Sequence, residues 1–89
     1  MDSERIGKGT FVALKELIRA IAIELVDHPD QVTVTEIAGE NTSLIELRVA
    51  KDDIGKVIGK EGRTAQSMRT ILTAVSTKVG RRCHLDIVD

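Results

Sequence analysis

Residues 54–64 read Ile54-Gly55-Lys56-Val57-Ile58-Gly59-Lys60-Glu61-Gly62-Arg63-Thr64. Three glycines fall within eight residues of an otherwise helical apolar pattern. A glycine inside a helix costs roughly 1 kcal/mol relative to alanine, and a tight turn would need one rather than three. Missing side chains let another backbone come close, and the first turn of a following helix offers free N–H groups to an anion. Lys56, Lys60 and Arg63 are the candidate phosphate contacts around such a loop.

The flanks supply the frame. Downstream, Ala65, Met68, Leu72, Val75 and Val79 step by three and four, the spacing of one helix face. Gly80 is placed to end that helix in the left-handed conformation. Upstream, Asp52 or Asp53 is placed to cap a short helix from about Ile54 to Ile58. Before it, Val32 and Val34 alternate with Thr33 and Thr35, and Ile45, Leu47 and Val49 alternate with Glu46 and Arg48. The turn residues Gly39-Glu40-Asn41 separate these runs, which predicts an antiparallel hairpin. Further back, Phe11, Leu14, Ile18, Ile21 and Leu25 predict an amphipathic helix that ends near Asp27-His28, because Pro29 disfavours helix in the residue before it. Residues 1–9 read as a flexible lead-in, and Cys83, Leu85 and Ile87 as the buried side of a last strand. The expected architecture is one α+β domain over residues 10–89, ordered α-β-β-α-α-β, with helices packed on one face of a three-stranded sheet.

Composition narrows the chemistry. The chain has 89 residues, 42% hydrophobic and 30% charged, which suits a single soluble domain. No apolar run approaches the ~20 residues of a membrane span, and the first residues lack the order of a signal peptide. A cytoplasmic location is expected. Cys83 is the only cysteine and the two histidines, His28 and His84, are far apart, so neither a disulfide nor a zinc site is expected. Net charge is −1, but residues 51–82 hold eight Lys/Arg against three Asp/Glu, a local +5. That distribution suits a local anion site or an ordinary solvated surface. A nucleotide-binding P-loop needs G-x-x-x-x-G-K-[ST]; here the glycine spacing is one short, and Glu61 stands where the metal-binding hydroxyl belongs. No nucleophile-base set or carboxylate pair is evident, so the chain is not expected to be an enzyme or to need a metal or cofactor.

The segment Ile54–Gly62 resembles the V-I-G-x-x-G core of KH domains, whose loop clamps about four nucleotides of single-stranded RNA by their backbone. The element order agrees with the type II arrangement. From about Phe11 to Asp89 the chain is similar to the small single-KH RNA-binding proteins of bacteria, the KhpA family. The runs that carry the likeness are Leu25-Val26-Asp27-His28-Pro29, Ile45-Glu46-Leu47-Arg48-Val49 and Gly55-Lys56-Val57-Ile58-Gly59-Lys60. The resemblance implies a cytoplasmic RNA-binding protein that self-associates or pairs with a larger KH-containing protein, in a system linked to cell elongation and division.

Carried onto this chain, the resemblance makes Gly59, Lys60, Glu61 and Gly62 the clamp, with Gly55 beside it. Ile54, Val57 and Ile58 are candidates for the apolar groove floor or for core. Thr64 and Ser67 are candidates to donate to phosphate or to face solvent. Arg81 and Arg82 are expected to close the other wall of the groove, with His84 near a base edge or simply exposed. Glu61 is the one unfavourable charge inside the clamp. The only aromatic residue is Phe11, so no base-stacking platform is expected. The competing reading is a protein-interaction domain whose G-x-x-G region is mainly a dimer interface.

Overall fold

The four-residue spacing of Leu14, Ile18 and Ala22 puts all three on one side of the first helix, and all three are buried. That helix, α1 (Ser3–Leu25), begins a computed structural model that describes residues 3–89, with side chains from Leu14 onward except Val79. The lead-in expected over residues 1–9 is helical from Ser3; once a helix is nucleated, each added residue gains a hydrogen bond. Met1, Asp2 and the side chain of Phe11 lie outside the described residues. Leu25, expected on the core face, is 37% exposed at the end of the helix, and Ala22 takes the core position one turn earlier.

The chain leaves α1 through Asp27-His28 and a single 3-10 turn, Pro29–Gln31, whose carbonyl at Pro29 accepts from the Val32 N–H at 3.2 Å. Strands β1 (Thr33–Ala38) and β2 (Thr42–Arg48) then pair antiparallel, with Val34 opposite Leu47. Their turn is closed by the Gly39 N–H, which donates to the Thr42 carbonyl at 2.7 Å. Alternation sorts the strands by face: Val34, Ser43, Ile45 and Leu47 are buried towards the helices, while Thr33, Thr35 and Arg48 are exposed.

After β2 come a 3-10 turn (Lys51–Asp53), the short helix α2 (Ile54–Ile58), a second turn (Lys60–Gly62) and the long helix α3 (Arg63–Val79). Gly80 ends α3 in the left-handed conformation, as its position predicted. Strand β3 (Arg82–Val88) lies parallel to β2, and the sheet order is β1-β2-β3. Parallel neighbours need a crossover connection, and here α2, the glycine loop and α3 are that crossover. The segment 54–62 therefore lies across the end of the core, and the order α-β-β-α-α-β is the one expected.

Ile18, Ile45, Leu47, Met68 and Leu72 are at most 1% exposed and join α1, β2 and α3 in one cluster. Burying each is worth about 1.5–3 kcal/mol before the entropy of ordering it. Among the described residues, no helix is long and apolar enough to cross a membrane.

Candidate nucleic-acid interface

Helix α2 stops at Gly59, whose N–H donates to the Gly55 carbonyl at 2.9 Å. Gly59 has φ 79° and ψ 171°, a region open to glycine and little else. A Cβ there would collide with the Thr64 hydroxyl and lie 2.8 Å from Thr64 Cβ and 2.9 Å from its N. This glycine is required twice, by its dihedral and by the close approach of α3. Gly62 has φ 73° but open space around it, so its requirement is dihedral alone. Gly55 has neither constraint: it is exposed, helical, and a Cβ would meet nothing within 4 Å. Glu61 carries a positive φ of 57° without being glycine.

The loop thus folds as a tight projecting turn, with the Gly62 N–H donating to the Gly59 carbonyl at 3.0 Å. Lys60 and Glu61 are exposed at its tip. No side chain caps the start of α3, where an anion would meet the positive end of the helix dipole, although the Arg63 N–H itself donates to the Lys60 carbonyl.

The charges around the loop are not equivalent. Arg63 pairs with Glu61 at 3.2 Å, and both side chains are well exposed, so the acidic residue in the loop offsets a neighbouring cation. Lys60 has no ion-pair partner among the described residues. Lys56 points the other way, with Nζ 3.1 Å from Asp27 Oδ2 and 3.6 Å from Asp53 Oδ1. Its hydrogen bond to Asp27 and the charge of Asp27 raise the Lys56 pKa; partial burial opposes the rise, and Asp53 adds to it.

Asp53 stands at the N-cap position of α2, yet its side chain makes no capping bond there. Its carboxylate is fully buried and accepts the backbone N–H groups of Asp27 at 3.1 Å and His28 at 3.0 Å. Burial, the largest single influence, works against its charge. The two N–H donors, with His28 and Lys56, outweigh it and lower the pKa below the ordinary value. The sequence shows an acidic residue at a cap position but not which N–H groups it reaches, so this tie between α1 and α2 could not be read there.

The other expected residues fall in two places. Val57 is fully buried core, Ile54 is partly buried against that core, and Ile58 is 38% exposed beside the loop. Thr64 is half-buried under Gly59, and the Ser67 hydroxyl donates back to the Arg63 carbonyl at 2.9 Å. Val57 lies beneath the surface, and Ile58, Thr64 and Ser67 flank the loop on it. Arg81 and Arg82 are not beside the loop, since they follow the far end of a 17-residue helix, about 25 Å away at 1.5 Å per residue. Arg81 donates to the Gly39 and Thr42 carbonyls at 3.0 and 3.2 Å and so holds the hairpin turn. Arg82 and His84 are exposed and line a shallow cleft there with Thr73 and Thr77. Midway along α3, Arg69 reaches the edge of β3, donating to the Leu85 carbonyl at 3.5 Å.

With this geometry the chain matches the family model described as KhpA/KhpB, KH domain, over residues 15–87. It is 54% identical over 77 residues to the RNA-binding protein KhpA of Aquifex aeolicus, covering 86% of this chain and 98% of that protein. The RNA-binding protein KhpA of Halalkalibacterium halodurans is 51% identical, over 85% of this chain and all of the relative. That of Treponema pallidum is 49% identical, over 84% of this chain and 94% of the relative. Among solved structures, Era of Aquifex aeolicus bound to GDP.AlF4- aligns with a TM-score of 0.55 at 21% identity, covering 85% of this chain and 30% of that one. Era in complex with MgGDPNP and nucleotides 1506–1542 of 16S ribosomal RNA aligns with a TM-score of 0.54 at 21% identity, over 84% of this chain and 29% of that one. At that identity the likeness to Era speaks for the fold alone. A family match across most of the chain, near-full-length relatives at about half identity and the projecting Gly59–Gly62 turn agree: the chain belongs to the KhpA/KhpB KH-domain family.

Proposed function

We propose that this chain is a non-catalytic RNA-binding protein that holds about four nucleotides of single-stranded RNA against Gly59–Gly62. The observation that carries the reading is the bare backbone of that turn, which projects beside the uncapped first turn of α3. The relatives' names give RNA as the ligand class. Lys60 and Arg63 supply the phosphate contacts, the exposed Ile58 and the bare surface of Gly55 the ground on which the strand lies. With few cations and no aromatic platform among the described side chains, binding is weak, general, and falls with salt.

In this reading the protein works in the cytoplasm as a homodimer or with a larger KH-containing partner, in post-transcriptional regulation linked to cell elongation and division. Pairing with a second domain would lengthen the RNA footprint and supply the specificity that one short loop lacks.

The test replaces Lys60 and Glu61 together by Asp and recovers RNA by crosslinking, with mass measured by light scattering. Loss of crosslinked RNA at unchanged mass is expected. Undiminished RNA recovery with loss of association would refute the clamp and favour a loop that serves mainly as a protein interface.

A further inference from the structure

Asp53 is the only charged side chain buried among the described residues. A buried carboxylate adds little to stability compared with an apolar side chain of similar size, so its presence calls for a geometric reason. Helix α2 has only five residues, too few to hold its own shape or orientation. It is anchored to the core by Val57, which sets its depth but does not prevent rotation about that contact. Asp53, one turn earlier, supplies the second anchor by accepting the N–H groups of Asp27 and His28, 26 and 25 residues away in sequence. Lys56 closes the arrangement by bridging the carboxylates of Asp27 and Asp53.

Resting on the RNA reading above, we propose that Asp53, Lys56 and Asp27 are positioning residues for the clamp: they tie α2, and with it Gly59–Gly62, to the end of α1. Lys56 spends its charge on this tie and is not a phosphate contact, although its place in the glycine-rich segment suggests one. The salt dependence of binding then comes from Lys60 and Arg63. The end of α1 becomes a place from which the RNA site can be altered without touching RNA.

The experiment uses the full chain as wild type and as Asp53→Asn, Lys56→Met, Lys56→Arg and Lys60→Met. Affinity for a labelled single-stranded oligoribonucleotide of random sequence is measured by anisotropy over a salt series, and loop order by NMR order parameters at Gly59–Gly62. Asp53→Asn and Lys56→Met are expected to weaken binding about tenfold, because a loosened loop must be ordered on binding. Their salt slope stays that of wild type, their loop order parameters fall, and Lys56→Arg restores both affinity and order. Lys60→Met instead lowers the slope by about 0.7. A similar drop in slope for Lys56→Met would overturn the proposal by making Lys56 a phosphate contact. Lower unfolding midpoints with unchanged affinity and unchanged loop order would overturn it by making the network merely structural. If the wild-type chain binds no RNA, the RNA reading falls alone, and the order parameters still decide whether Asp53 and Lys56 position the loop.

Discussion

The three glycines of residues 54–62 make a quantitative test, because the structure assigns each a different requirement. Replacing Gly59 by Ala forces a side chain into φ 79°, ψ 171°, a strain of about 1–3 kcal/mol. It also drives a Cβ to 2.8 Å from Thr64 Cβ and 2.9 Å from Thr64 N, where overpacking adds about 1–3 kcal/mol. Together these reach roughly 2–6 kcal/mol, a large share of the ~5–15 kcal/mol that holds an ordinary domain folded. Gly62→Ala meets only the left-handed strain, about 1–2 kcal/mol. Gly55→Ala meets no obstacle and gains helix propensity, so it stabilises by about 0.5–1 kcal/mol. Urea denaturation followed by circular dichroism reads all three. Adding Thr64→Ala to Gly59→Ala removes the hydroxyl but leaves Cβ and N in place, so only part of the loss returns. The reasoning is refuted if Gly59→Ala and Gly62→Ala cost the same, or if Gly55→Ala destabilises. Gly55→Ala carries a further consequence: a variant more stable than wild type that binds RNA more weakly would show that the bare surface serves the ligand rather than the fold.

Acid should act through Asp53. Its folded pKa lies below the ordinary 3.8, so its contribution is complete above that value and is lost as pH falls through the folded pKa. The gap in urea midpoint between wild type and Asp53→Asn should therefore narrow below about pH 4, and a gap that stays constant would sink this assignment. At the loop tip, Glu61→Gln releases Arg63 from its 3.2 Å partner and removes a like charge from the phosphate path. RNA affinity should rise severalfold, with a steeper salt slope, and an unchanged affinity would show that Glu61 faces away from the bound strand.

Periodicity alone determined most of the frame. Met68 and Leu72, or Ile45 and Leu47, state a helix face and a strand face by spacing, because burial follows from which side of an element a residue occupies. The glycine spacing likewise marked the turn between α2 and α3, since three missing side chains in eight residues break a helical pattern. What spacing could not tell was which glycine was needed by what, because a close approach such as Gly59 to Thr64 exists only once α3 has docked. Nor could it pair charges. Lys56, Lys60 and Arg63 look alike in sequence, yet only the folded chain brings Asp27 up to Lys56 and to its neighbour Asp53, 26 residues from Asp27, and leaves Lys60 open. In the same way it draws Arg81 onto the hairpin turn, away from the loop. Ion pairs and buried hydrogen bonds depend on contacts of a few ångströms between distant segments, and local sequence pattern carries no record of those. The sequence by itself therefore determined the elements, their faces and the position of the glycine loop; the tertiary structure decided which charges beside that loop are paired within the protein and which stay open.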